Sequence, residues 1–273
     1  MPIDQPIPTE DAVRRARIGL LTPYKELPGE YDDVIADCPV PTVAWQVVTQ
    51  AADSHDPEDL RVTGSADPLV EGLRRLERWH PDLVMWACTS GSFILGREGS
   101  VEQCELLSAR AGVNVRSTSI AFVAALRALN VREVALCSPY PRPATQALVQ
   151  YLAAWGIGVA DMVHLDHASA TSSEGIVAAD IEPLLQRLKG AELVMIPDTA
   201  TWGFELWGHL ADASKRPIIT ANQVTLWLAF ELLALPTSDT RFGALRDLRA
   251  NDPVADPSDR RSNTVHVTSG AYP

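Results

Sequence analysis

The sequence predicts an α/β fold made of two similar flavodoxin-like halves with parallel sheets. The halves would be related by a pseudo-twofold axis, with an active site in the cleft between them. Three observations lead there. Short apolar runs of strand length alternate with stretches of helical length, the pattern of parallel strands covered by helices. That series restarts near residue 133, about half-way along the 273 residues. Finally, three segments recur in the same order at nearly constant spacing. DLVMWACT at 82–89 lies over ELVMIPDT at 192–199, an offset of 110, and RIGLLTPY at 17–24 lies over EVALCSPY at 133–140, an offset of 116. The strand and helix start near 115–119 resemble 219–223 at an offset of 104. One apolar match between buried strands would carry little; three in order indicate duplication.

The elements follow in chain order. Residues 17–21 form an apolar run ending at Thr22-Pro23-Tyr24, a buried strand, and 40–48 form a second strand. Asp67 is placed to cap a helix with Pro68 at its first position and apolar residues at helical spacing through Trp79. Residues 82–86 are a third strand, followed by Cys88-Thr89-Ser90-Gly91-Ser92; helix, strand and helix continue to Asn130. Residues 133–137 open the second series, 217–220 form its last strand, and Asn222 and Gln223 begin a helix. The longest apolar run, 224–235, is interrupted by Glu231 and reads as a buried helix, not a membrane span. Beyond Thr237 the chain is rich in Asp, Arg, Pro and Ser, so a short helix or irregular packing and then a mobile end are expected. The corresponding domains are residues 1–117 plus 222–250, residues 118–221, and a polar tail at 251–273.

Composition narrows the function. Apolar residues make up 46% and charged residues 21%, ordinary for a globular chain. The net charge of −12 opposes binding to nucleic acid or to an anionic membrane surface. The first ten residues lack the charged start and apolar middle of a secretory signal, so a cytoplasmic protein with reduced thiols is expected. Cys38, Cys104 and Cys137 read as small core residues, and no Cys/His grouping has zinc spacing.

Cys88 differs from the other three. It follows a buried strand and precedes a Thr-Ser-Gly-Ser turn, whose N–H groups and hydroxyls can converge on a thiol or a carboxylate. The repeat sets Asp198 opposite it and Thr199 opposite Thr89. Asp198 also suits the cap of a helix over 200–213, and capping is compatible with acid or base work. Tyr24 and Tyr140 end equivalent strands and can donate hydroxyls to a carboxylate or plug the strand ends; Lys25, Glu26 and Arg142 flank them. Asn222 and Gln223 are suited to cap their helix or to orient a ligand. His164 and His167 flank Asp166 and read as surface or loop residues, because no third metal ligand is patterned with them. Trp202 is near enough to Asp198 to wall the cleft.

Together, CTSGSF at 88–93, RIGLLTP at 17–23, SPY at 138–140 and TANQ at 220–223 resemble the aspartate/glutamate racemase superfamily. The branch is that of maleate cis–trans isomerase and arylmalonate decarboxylase. The resemblance covers about residues 17–235 and implies two α/β halves with the active site between them. It implies Cys88 as the first catalytic cysteine, with Thr89, Ser90 and Tyr140 binding a substrate carboxylate. The second family cysteine falls on Asp198, and Tyr24-Lys25-Glu26 stands where isomerases often have Asn; both departures weigh against maleate itself. The expected protein is a cofactor-independent isomerase acting on a small carboxylate or dicarboxylate through Cys88, with Asp198 as acid or base. Substrate-binding residues are Thr89, Ser90, Tyr140, Thr199, Tyr24 and Asn222. A decarboxylase or racemase on the same scaffold, and a non-catalytic small-acid binding protein, are the alternatives. The resemblance also leaves room for a homo-oligomer.

Overall fold

In the computed structural model, residues 15–23, 29–49 and 52–255 are described. The first half runs β1 (Ala16–Thr22), α1 (Glu30–Ala36), β2 (Thr42–Val48), α2 (Pro57–Thr63), α3 (Ala66–Leu76), β3 (Leu83–Trp86), α4 (Ser90–Phe93), α5 (Gly96–Ala111), β4 (Val115–Ser117) and α6 (Thr118–Ala128). The second runs β5 (Glu133–Ser138), α7 (Arg142–Ala154), β6 (Gly158–His164), α8 (Ala170–Ser173), α9 (Ala178–Leu185), β7 (Val194–Ile196), α10 (Gly203–Ala213), β8 (Ile218–Thr220) and α11 (Ala221–Leu232). Each half holds a four-stranded parallel sheet, ordered β2-β1-β3-β4 in one and β6-β5-β7-β8 in the other.

The strand registers carry the repeat. Gly19 pairs with Val84 as Ala135 pairs with Val194, and Leu20 pairs with Met85 as Leu136 pairs with Met195. These partners are the ones the offsets of 116 and 110 align. The third offset is corrected by one residue: Trp86 pairs with Ser117 as Ile196 pairs with Thr220, so Ser117 corresponds to Thr220. The central strand β3 is buried along its whole length, whereas the edge strand β6 alternates between exposed and partly buried residues. This is the difference expected between strands covered on both faces and strands at an edge.

Helices α6 and α11 follow equivalent strands and pack on one another; the Thr118 and Thr225 hydroxyls meet at 2.7 Å. Thr118 to Leu126 and Ala221 to Phe230 are buried without interruption. That explains why both sequences are apolar all round instead of striped. The main apolar cluster is shared by the halves: Ile18, Leu83 and Met85 from one, Leu136, Met195 and Ile219 from the other, with α6 and α11 among them.

Some expected boundaries shift. The second strand starts at Thr42 and not at residue 40. The helix expected to start after Asp67 has Ser65 at its cap position, so Pro68 lies within the first turn. The segment after Thr237 forms a 3-10 turn (Thr240–Leu245) whose Phe242 and Leu245 are buried. An ion pair between Arg116 and Asp252 then ties the chain down. Residues 256–273, which hold most of the predicted tail, lie outside the described residues. No described helix is long and apolar enough to cross a membrane.

Candidate functional site

Cys88 lies two residues past the end of β3. Its turn is set by a close backbone contact: a Cβ on Gly64 would lie 1.8 Å from the Gly91 carbonyl oxygen, and one on Gly91 would lie 3.3 Å from the Cys88 sulfur. Gln103 Nε2 donates to both carbonyls, Gly64 at 2.7 Å and Gly91 at 3.2 Å, binding α2 to the turn. Ser119 Oγ donates to the Thr89 carbonyl at 2.7 Å, and the Ser92 and Ser117 hydroxyls meet at 2.7 Å. Within this frame the Gly91 N–H points at Cys88 Sγ, 3.3 Å away, and the Ser90 hydroxyl lies at 3.9 Å.

Tyr140 arrives from the end of β5, packed edge-on against Phe93 with ring centroids 5.6 Å apart. Its hydroxyl lies beside those of Thr89 and Ser90. Among the described residues, neither it nor the Thr89 hydroxyl is taken up by a well-formed hydrogen bond. Tyr140 comes from the opposite half and Thr89 from the turn of Cys88 itself, so hydroxyls of both halves meet beside the thiol.

Asp198 lies past β7 as Cys88 lies past β3, but its turn is wired differently. The Ala200 N–H donates to Asp198 Oδ1 at 3.0 Å. The Thr201 N–H and hydroxyl donate to the Asp198 carbonyl at 3.3 and 2.7 Å. The expected helix cap is therefore corrected: Asp198 caps the 198–201 turn, and α10 begins only at Gly203. Trp202 does not wall the cleft; it is 47% exposed, against a surface groove shared with Val177 and His209.

Sequence reasoning missed His55. Its ring is 2% exposed and lies edge-on to Tyr140 at 4.8 Å, with Nε2 3.9 Å from Asp198 Oδ2. Nδ1 meets the His167 carbonyl at 2.8 Å, and the His55 N–H donates to the Ala168 carbonyl at 2.8 Å. A carbonyl only accepts, so Nδ1 carries a proton and Nε2 is the atom turned to Asp198. The segment is also held by Thr171, whose N–H and hydroxyl donate to Asp53 at 3.0 and 2.7 Å. His55 follows no motif; it reaches the site only because the 52–56 segment closes against residues 167–171 of the other half.

The remaining predicted residues divide by use. Cys88, Thr89, Tyr140, Asp198 and Thr199 are each exposed by 1% or less, so the site is closed over. Asn222 is occupied by protein groups. It accepts from the Tyr31 hydroxyl at 2.9 Å, and its amide donates to Glu30 at 2.6 Å and to the Thr201 carbonyl at 2.9 Å. It braces the Asp198 loop against α1 and does not turn a polar group to Cys88. Glu30 also accepts from the Phe204 and Glu205 N–H groups at the start of α10. Gln223 closes a capping box with Thr220. Tyr24, Lys25 and Glu26 lie outside the described residues. His164 and His167 are both half-buried, and no cluster suited to a metal occurs among the described residues.

Burial dominates the electrostatics. It pushes the Cys88 thiol from 9.0 up to about 12; the Gly91 N–H and Ser90 hydroxyl pull it down, and the Asp198 charge pushes it further up. Tyr140 is held well above its ordinary value, first by burial and then by the charge of Asp198. At pH 8 a thiol titrating near 12 is ionised in about one molecule in 10^4. The resting site therefore holds a protonated thiol, and the charge of Asp198 bears on it.

Comparison with known proteins bears on the family and the fold. The family model described as arylmalonate decarboxylase matches residues 63–245. A maleate isomerase of Nocardia farcinica is 33% identical over 96 residues, a stretch covering 33% of this chain and 38% of that relative. Among solved structures, a mutant of the Nocardia farcinica maleate cis–trans isomerase with a covalently bound succinylcysteine intermediate superposes with a TM-score of 0.78 at 20% identity, covering 85% of this chain and 99% of that one. A liganded mutant of arylmalonate decarboxylase gives 0.73 at 20% identity, with the same coverage of 85% and 99%. At such identity these structures establish the two-domain fold, and chemistry has to come from the residues of this site.

Proposed function

The chain belongs to the arylmalonate decarboxylase family, and within it we propose a cofactor-independent isomerase that acts on a small carboxylate through Cys88, with Asp198 as its acid–base partner. The observation that carries this reading is the convergence of Cys88, the Thr89 and Tyr140 hydroxyls and Asp198, all buried, where the strand ends of the two halves meet.

The chemistry follows from those groups. A substrate carboxylate rests against the hydroxyls of Thr89, Ser90 and Tyr140. The Cys88 proton passes to Asp198 as Sγ bonds to one carbon of a cis double bond. The π electrons move onto the carboxyl group, forming an enediolate. Donors fixed at the oxygens where that charge appears are worth ~3 kcal/mol each. The former double bond, now single, rotates; the electrons return, the C–S bond breaks, and the thiolate takes back its proton. Because the thiol rests protonated, Asp198 must act before or during attack, which gives the carboxylate a role that a second thiol would otherwise fill.

One observation also favours decarboxylation. A thiol pushed up to about 12 is suited to give a proton to carbon. In that reading a carboxylate leaves as carbon dioxide, its bonding electrons form the enediolate, and Cys88 protonates the carbon from one face. Proton NMR in deuterated water with cis-enoic acids and substituted malonates separates the two. Isomerisation gives the trans acid with all carbons retained, and decarboxylation gives a shorter acid with one deuterium at the α carbon. Turnover of neither class would remove both readings.

A further inference from the structure

We propose, resting on the reading that Cys88 and Asp198 carry the reaction, that Glu30 is a positioning residue: a carboxylate supplied by the first half that fixes the turn bearing Asp198 in the second.

The two turns of the site are held in different ways. The Cys88 turn is braced within its own half, by Gln103 on the Gly64 and Gly91 carbonyls and by Ser119 on that of Thr89. The Asp198 turn is braced from the other half. Glu30 opens α1 and accepts with both oxygens. Oε2 takes the N–H groups of Phe204 and Glu205, at 2.8 and 3.1 Å, in the first turn of α10. Oε1 takes the Asn222 amide at 2.6 Å. Burial pushes the Glu30 carboxyl up, and these donors pull it back down by favouring its ionised form. A negative charge at this end of α10 also meets the positive end of the helix dipole.

Asn222 carries the constraint onward. The Tyr31 hydroxyl donates to its Oδ1 at 2.9 Å, so the amide nitrogen is the atom turned to Glu30; the reverse orientation would set oxygen against oxygen. That nitrogen also donates to the Thr201 carbonyl at 2.9 Å and to the Thr199 carbonyl at 3.4 Å. The Thr199 carbonyl and the Ala200 N–H belong to one planar peptide group, and that N–H holds Asp198 Oδ1 at 3.0 Å. Turning the peptide at one end moves the other. The start of α10 is seated on the same corner: a Cβ on Gly203 would lie 2.7 Å from Thr220 Oγ1 and 3.2 Å from Asn222 Cβ. Joining the halves at Glu30 and setting Asp198 in place are therefore one event.

Glu30→Gln keeps the size of the side chain but sets an NH2 against either the α10 N–H groups or the Asn222 amide. Hydrogen exchange, read by mass spectrometry, should speed up at least about tenfold at the amides of 199–205 and stay within about twofold at those of 88–93. With the best cis-enoic acid, kcat should fall about 10- to 10^2-fold, as for a displaced catalytic group. KM should stay within about threefold, because the hydroxyls that hold the substrate carboxylate lie elsewhere. Glu30→Ala leaves a space that formate can refill with a carboxylate, so ~0.1 M formate should raise its kcat at least about fivefold and give the unsubstituted protein no gain. Circular dichroism confirms folding. Unchanged exchange at 199–205, an unchanged kcat in folded Glu30→Gln, or no gain from formate in Glu30→Ala would overturn the proposal. So would failure of both variants to fold even in formate, which would make Glu30 purely structural. The enzyme reading fails separately: no turnover of any cis-enoic acid by the unsubstituted protein sinks the isomerase and leaves the exchange result to decide this inference.

Discussion

Alkylation of Cys88 tests the electrostatics of the site in one experiment. An ordinary thiol titrating at 9.0 is about one-tenth ionised at pH 8, whereas one at about 12 is ionised in about one molecule in 10^4. Since the thiolate is the nucleophile, iodoacetamide should modify Cys88 about 10^3-fold more slowly than a small free thiol, before any slowing by burial. The rate should rise about tenfold per pH unit from pH 8 to at least pH 11. Asp198→Asn removes a charge that pushes the thiol up, so the curve should move toward lower pH. The assay is mass spectrometry of the peptide containing Cys88, with Cys88→Ser as the blank. A rate that levels off below pH 8.5, or lies within a few-fold of the small thiol, would refute the protonated resting state and make the acid–base role given to Asp198 unnecessary.

Three further outcomes are expected. His55→Asn keeps a donor for the His167 carbonyl and loses the nitrogen facing Asp198. Steady-state kinetics on the best substrate should show kcat falling at least about tenfold, because Asp198, whose acid–base work is worth roughly 10^2–10^4-fold, loses the ring that faces it, and an unchanged kcat would make His55 purely structural. Asn222→Leu strips partners from Tyr31, Glu30 and the Thr201 carbonyl. Leaving such groups buried costs on the order of 2–3 kcal/mol, a fall in Tm of about 5–10 °C by calorimetry. Alkali should destabilise the fold, because Cys88 and Cys137 rise to about 12 and Cys104 to about 11. Raised thiol pKa values mean that the unfolded chain ionises first. The stability is fully present below pH 9 and is lost as pH rises toward 12, at about 1.4 kcal/mol per pH unit for each thiol. Urea denaturation between pH 8 and 11 should show that slope, and it should be shallower in Cys137→Ala.

The fold was largely legible because its signals are local and repeated. The strand segments IGLL and VALC, and LVMW and LVMI, are apolar throughout because helices cover both faces, and their spacing survives into the observed registers. The error of one residue at the third repeat arose where β4 and β8 are only three residues long, too short to fix an alignment. Helix α2 escaped notice because only Leu60 and Thr63 of its seven residues are buried, leaving no apolar stripe to read. The thiol side of the site was legible for the same reason as the strands: a strand end and its turn lie together in sequence. His55 was not, since its partners are Tyr140, His167 and Asp198, all brought to it by packing between halves. Asn222 was recognised as significant, but its commitment to Glu30 and Tyr31 depends on α1, 191 residues away from it in the case of Tyr31. Asp198 looked like a helix cap because Pro-Asp-Thr is a common way to begin one. The chain instead spends that oxygen on a turn.

The central claim is that Cys88 carries the reaction, and the most direct measurement is turnover of a cis-enoic acid, followed by proton NMR, in the unsubstituted protein and in Cys88→Ser. The account predicts trans product from the first and a rate at least about 10^3-fold lower in the second, with circular dichroism and Tm unchanged. Equal rates in the two proteins would contradict it.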